Sequence, residues 1–233
     1  MLSDPDGLDA EPFELLVSAL ETANRDRGAR TIMFTSARRG QGTSTTVANL
    51  AIALARAGKR VALVDLDLRE PSVGELFAVG DRPGVTGVLL KRATLEQALV
   101  PVAAVTADEA ATQGREGDHA GGLAVLPAGA VPASPADVAR SPALAELLAA
   151  LEAKADLVLV DAPPVLGPSD ARSLAARVDA LVVVARRAAI RNGKAAELHR
   201  ALTGTPVVKL GFVLTGAGHV GSRRAPRPRS ADA

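Results

Sequence analysis

The chain has no cysteine, tryptophan or tyrosine, and its four aromatic residues are all phenylalanine. Without cysteine there is no disulfide framework and no thiolate chemistry, which suits a reducing compartment. A surplus of charge is missing too: 27 Lys and Arg against 26 Asp and Glu leave a formal net charge of +1. That balance gives no global attraction to nucleic acid or to an anionic membrane, so any charged partner surface must be local. Long apolar runs are also lacking, none approaching the roughly eighteen residues of a membrane-spanning helix. The start, MLSDPDGLDAEP, is acidic where a secretory signal would be basic and then apolar. The expectation is a cytoplasmic protein that binds no nucleic acid.

What is present is aliphatic. With 233 residues, 48% of them hydrophobic, the chain can bury a sizeable core in one domain with appendages. Short apolar runs predict strands at Thr31–Thr35, Val61–Asp65, Gly122–Leu126, Leu157–Asp161, Ala180–Ala185 and Val207–Thr215. Runs such as VALVD and LVLVD, apolar throughout, fit strands covered on both faces. Between them, TSTTVANLAIALARAGKR carries a helical stripe that stops near Gly58, and Ser141–Lys154 begins with a cap and a proline. The alternation predicts an α/β fold with a mostly parallel, doubly wound sheet and helices on both faces. The expected organisation is an extension and helix over 1–28, the domain over 29–218 and a basic tail over 219–233. A surface insertion is expected within 101–122, which is rich in Ala, Gly and charge without period. The tail holds Arg223, Arg224, Arg227 and Arg229 with two prolines, and reads as solvated or at most a weak contact for anionic lipid.

The first strand runs into TSARRGQGTSTT and then a helix, the setting in which a glycine-rich loop wraps phosphates with backbone N–H groups. Arg38, Arg39, Gly40, Gln41, Gly42, Thr43, Ser44 and Thr45 are the candidate phosphate contacts. Against GxxxxGK[ST], Ala37 takes the first glycine position, Gly42 the second, Thr43 the lysine position and Ser44 the hydroxyl position. A loop departing at two named positions could be a turn of any α/β protein. Two further strands, however, deliver Asp65 and Asp67 in VALVDLDLREP and Asp161 in LVLVDAPP. In a parallel sheet these ends share the edge of the phosphate loop, so three carboxylates could approach one magnesium ion beside Ser44. Acids at buried strand ends are costly without such a use.

The strings TSARRGQGTSTTVANLAIALARAGKRVALVDLDLREPSVGELF, GLAVLPAG and LVLVDAPPVLGPSDARSLAARVDALVVVAR resemble the cytoplasmic domain of bacterial tyrosine kinases, of the capsular exopolysaccharide or polysaccharide co-polymerase family. The likeness runs over roughly residues 11 to 216, and DLDLREP and VDAPPVL set it apart from MinD and ParA relatives. The resemblance implies a deviant P-loop NTPase fold, ATP or ADP with Mg2+ as cofactor, and a membrane-embedded co-polymerase or activator protein as partner that could recruit the chain to the inner face of the plasma membrane. It implies that Ser44 binds magnesium, that Asp161 closes the metal shell, and that Asp65 and Asp67 form the second acidic motif, one of them activating the attacking hydroxyl. Thr215 falls where the family has an asparagine that reads the adenine edge. Arg69 would serve the loop after the second strand.

Four departures from that family bear on chemistry. Thr43 replaces a lysine that reaches the β- and γ-phosphates, a loss on the order of 1.5–3 kcal/mol. Arg38 or Arg39 could compensate, or both could be solvated. With no tyrosine, the chain cannot phosphorylate a tyrosine cluster of its own; Ser222 and Ser230 are the tail's hydroxyls. The family's ring-forming Glu-x-x-Arg-x-x-Arg reads Glu11, Glu14 and Val17, which removes the ion pairs of such a ring. Thr215 leaves base selectivity open. A regulatory pseudokinase with weak or no catalysis is the leading expectation. The alternatives are an active ATPase or protein-tyrosine kinase using Arg38 or Arg39, and a MinD/ParA-like positioning ATPase.

Overall fold

The computed structural model describes residues 10–102, 121–167, 170–187 and 192–216. The expected basic tail and most of the expected insertion lie outside the described residues. Seven strands form one sheet: β1 Thr31–Ser36, β2 Arg60–Asp65, β3 Val100–Pro101, β4 Gly122–Leu126, β5 Leu157–Asp161, β6 Ala180–Arg186 and β7 Val208–Thr215. Their order is β3-β4-β2-β5-β1-β6-β7, and every pairing is parallel except β3 with β4. From β1 the chain winds outward to β2 and β4, returns to β5 beside β1, and then winds the other way through β6 and β7. The expected doubly wound, mostly parallel architecture is therefore present, with its reversal at β1.

Alternate residues of each central strand enter two different cores, which is why these runs are apolar throughout. Ile32 and Phe34 of β1, Val61 and Leu63 of β2, and Val182 and Val184 of β6 pack on one face beneath α1, Glu11–Asn24, and α2, Thr43–Arg56. Met33, Ala62, Val64, Val158, Val160 and Val183 pack on the other. That face is covered by α7, Pro142–Glu152, α8, Asp170–Ala175, and the end of α9, Asn192–Thr203. The stripe of α2 is Val47, Leu50, Ala51 and Leu54, spaced i, i+3, i+4, i+7 and fully buried. The helix stops where predicted, with Gly58 at a φ of +88°. Ser141 caps α7 by accepting the Ala143 N–H at 3.2 Å, with Pro142 following it, and Leu144, Leu147, Leu148 and Leu151 form its buried stripe.

At the ends of the expected insertion, Gly122 opens β4 with the bounds expected for that strand, whereas Pro101 belongs to β3, a strand that was not expected. The two-residue β3 has no period to detect, and its proline, which cannot donate to a ladder, sits at the sheet's edge as the physics of pairing requires. The short helices α3, Val73–Leu76, α4, Val85–Leu89, α5, Leu95–Ala98, and α6, Pro135–Arg140, were likewise not foreseen. In α1, Val17 is buried against α2 beside Leu20. The position at which the family's ring motif would carry its last arginine is thus used to dock the helix onto its own domain.

Candidate nucleotide site

The loop between β1 and α2 owes its shape to two glycines. Gly40 and Gly42 have φ of +74° and +86°, left-handed conformations that a side chain would strain. Gly42 is the residue before the first turn of α2, and its carbonyl accepts the Thr46 N–H at 2.9 Å. The early N–H groups of α2 have no intrahelical partner and mark the helix's positive end. Ser36 holds the loop's start, its hydroxyl donating to the Arg38 carbonyl at 2.8 Å. Thr215 holds its far side: the hydroxyl donates to the Gln41 carbonyl at 2.8 Å, and the threonine side chain lies 3.6 Å from where a Cβ on Gly42 would be. The residue expected at the adenine edge is here a clamp on the phosphate loop.

The parallel register brings the acids to this edge. Asp65 and Asp161 are paired residues of β2 and β5, and Phe34 of β1 is the other neighbour of Asp161. Asp161 is buried beside the Ser44 hydroxyl, and its Oδ2 is buried without a partner. Burial, and then the neighbouring Asp65, push its carboxyl well above the usual carboxylate range, against the pull of Ser44. Asp65 is also fully buried, and burial raises it to about 6. The opposing pull comes from three backbone amides: Val73 and Ser72 donate to Oδ2, both at 3.0 Å, and Asp67 to Oδ1 at 3.1 Å. Asp65 therefore folds the segment after β2 back on itself and caps α3. Burial raises Asp67 as well, opposed chiefly by Arg39, whose Nη1 and Nη2 lie 3.2 and 3.4 Å from its two oxygens.

The three expected acids thus share an edge but not a role. Among the described residues no three His, Cys, Asp or Glu side chains are grouped to hold a metal ion. Both oxygens of Asp65 are occupied by amides, and Asp67 is paired with Arg39. The donor set that fits Mg2+ is narrower than expected: the Ser44 hydroxyl and the partnerless buried Oδ2 of Asp161, hard oxygens beside a helix N-terminus. Arg38 is exposed and makes no ion pair among the described residues, whereas Arg39 is engaged with Asp67 and Glu70. Thr43 and Ser44 are half-buried at the start of α2.

Three hydrogen bonds were not visible in the sequence. Arg69 Nε donates to Asp170 Oδ2 at 2.7 Å, tying the segment after β2 to the start of α8. The Thr35 hydroxyl donates to the Pro163 carbonyl at 2.7 Å, and the Ser36 carbonyl accepts the Val165 N–H at 2.9 Å, lacing the DAPP string to β1. These pairs lie 101 and 128 or more residues apart in the chain, beyond any local pattern.

A strand, a glycine-bent loop, a helix N-terminus and strand-end acids on one edge define a P-loop NTPase domain. The ParA family, described as NUBPL iron-transfer P-loop NTPase, matches residues 28–112. The tyrosine-protein kinase YwqD of Bacillus subtilis is 34% identical over 215 residues, covering 92% of this chain and 84% of that protein. The EpsB tyrosine-protein kinase homologue of Ralstonia nicotianae is 32% identical over 182 residues, 78% of this chain but only 22% of its own length. Among solved structures, the chimerical protein CapA2B2 superposes with a TM-score of 0.79 at 26% identity, over 91% of this chain and 86% of that one. The septum site-determining protein MinD of Pyrococcus horikoshii, complexed with Mg-ADP, gives 0.60 at 25% identity, over 79% and 69%. The chain belongs to the bacterial tyrosine kinase family.

Proposed function

We propose that this protein binds a nucleoside di- or triphosphate with Mg2+ at the Ala37–Thr45 loop and acts as a regulatory, catalytically weakened member of its family. In this reading backbone N–H groups of the loop and of α2 cradle the phosphates, and Ser44 and Asp161 hold the ion. Asp65 and Asp67 occupy the catalytic acidic positions and keep the segment after β2 folded against the site. The orphaned Oδ2 of Asp161 supports the cofactor part: a buried carboxylate oxygen without a partner is costly unless a cation completes it.

One observation carries the loss of catalysis. At the lysine position stands Thr43, and Arg39, one of the two arginines that could replace that charge, is bound to two carboxylates. Phosphoryl transfer depends mainly on positioning and electrostatic stabilisation, so a loop without the lysine, with Arg39 held by carboxylates in the nucleotide-free protein, loses rate more than affinity. The 233 residues contain no tyrosine, and Val17 is consumed in the core, which argues against self-phosphorylation on tyrosine and against the family's ring. The family relationship supports a role in exopolysaccharide or capsule synthesis and export, exercised through a membrane-embedded co-polymerase partner. No helix among the described residues is long and apolar enough to cross a membrane, so in this reading the partner supplies the membrane attachment. A working kinase remains the second reading because Arg38 is exposed beside the loop without an ion pair among the described residues.

The test is a thermal melt with and without millimolar Mg–ADP, paired with radiolabelled ATP turnover. A ligand-dependent rise in melting temperature without steady turnover is expected. Steady turnover that Asp65→Ala abolishes overturns the pseudokinase reading in favour of the active enzyme.

A further inference from the structure

Arg39 reaches out of the phosphate loop to the segment that follows β2. Its Nη1 lies 2.6 Å from Glu70 Oε2 and 3.2 Å from Asp67 Oδ2, and its Nη2 lies 3.4 Å from Asp67 Oδ1. One positive charge thus faces two negative ones, and the cluster carries net negative charge where the phosphates of a nucleotide would enter. The two acids differ in freedom. Asp67 has a side chain only 13% exposed, receives the Glu70 N–H at 3.4 Å and is followed by the buried Leu68. Glu70 has a side chain 67% exposed and among the described residues makes this one ion pair.

We infer that Glu70 is a latch on Arg39, and that a nucleotide's β-phosphate must displace the Glu70 carboxylate from the guanidinium in order to bind. The inference rests on the phosphate-site reading above and adds to it a residue that sets affinity without belonging to the site. A phosphate offers the guanidinium the same two-oxygen face as a carboxylate with more charge, so it competes for the same donors. Glu70 is the partner that yields, because an exposed acid regains its hydration on leaving, whereas Asp67 is anchored. Opening the latch would also loosen Asp67 from its counter-charge at the moment nucleotide arrives.

The prediction is read by titration calorimetry of Mg–ADP into the full chain and into Glu70→Gln, Arg39→Ala and the double variant. Glu70→Gln is expected to tighten Mg–ADP by about two- to fivefold, the upper part of the range for releasing an exposed ion pair. In the Arg39→Ala background the same substitution is expected to change nothing, because the latch has nothing to hold. Equal tightening in both backgrounds overturns the latch and leaves a simple field effect of one acid near the phosphates. Unchanged affinity in Glu70→Gln, with the parent binding, overturns the latch and leaves the phosphate site standing. If no variant binds Mg–ADP, both fall.

Discussion

Asp65 and Asp161 stand opposite each other in register at the ends of β2 and β5, two buried carboxylates on adjacent strands, each held above the usual carboxylate range by burial. They meet that burden differently. Asp65 is offset by three backbone amides, Asp161 by the Ser44 hydroxyl and the Ala162 amide, with one oxygen left alone. The pair is therefore a cost to the nucleotide-free protein that the proposed cation would offset.

Replacing Asp161 by asparagine separates stability from function. Asp161→Asn removes a buried charge beside Asp65, and the nucleotide-free protein should melt about 2–4 °C higher, as a gain on the order of 1 kcal/mol produces in a domain of this size. The same variant should lose the Mg2+-dependent part of any stabilisation by ADP. Scanning calorimetry of both proteins, with and without Mg–ADP, checks this. A variant that melts lower and still responds to Mg–ADP would remove Asp161 from the proposed ion site.

Stability should also fall as pH rises, opposite to the behaviour of a salt-bridged acid. With a carboxyl at about 6 in the folded state against 3.8 in the unfolded chain, the native state binds more protons between those values. Its contribution is present in full below the unfolded value and is lost as pH passes through about 6. The whole shift corresponds to about 3 kcal/mol for Asp65, of which roughly 1 kcal/mol separates pH 5.5 from pH 7.5. Asp161, raised in the same direction, adds to it. Urea denaturation without nucleotide should show the higher midpoint at pH 5.5; equal or higher stability at pH 7.5 would contradict the burial of these groups as charges.

The two acids also show what could be read before the fold was known. LVLVD and VALVD are apolar on both alternations, so their burial, their parallel pairing and the shared edge of their terminal acids followed from one-dimensional pattern. The work each acid does was hidden. Asp65 is spent on amides of residues 67, 72 and 73, a turn with no periodicity to announce it, and Arg39 meets Glu70 across 31 positions of chain that only the sheet brings together. β3 escaped because two residues define no alternation. Thr215 was placed at the end of its strand by pattern, but its partner is a backbone carbonyl in another loop, which side-chain identity cannot reveal.

Restoring the loop's missing charge tests how much of the weakened chemistry is local. Thr43→Lys places an ammonium at the first residue of α2, where the position is half-buried. Affinity for ADP should rise about 10- to 100-fold, the equivalent of one charge-assisted contact. Turnover should appear only if the acids on the neighbouring strands are already placed for catalysis. Calorimetric titration and radiolabelled ATP give the two answers separately. An unchanged affinity would mean that position 43 does not face the phosphates.

Thr215 stands where the family has a base-reading asparagine, and in the structure its hydroxyl holds the phosphate loop. A base reader and a loop clamp fail differently when altered. Thr215→Val keeps the shape that packs beside Gly42 but removes the hydroxyl that donates to the Gln41 carbonyl. Losing that bond should cost about 0.5–1.5 kcal/mol, and because the loop it holds is shared by every nucleotide, ADP and GDP should weaken by the same factor, up to about tenfold. If Thr215 instead read the base, the two nucleotides would respond unequally, the adenine or the guanine derivative losing more. Parallel titrations of the parent and Thr215→Val with Mg–ADP and Mg–GDP decide between the two. Equal losses make Thr215 the residue through which β7 sets the shape of the phosphate loop, and leave the choice of base to residues other than this threonine.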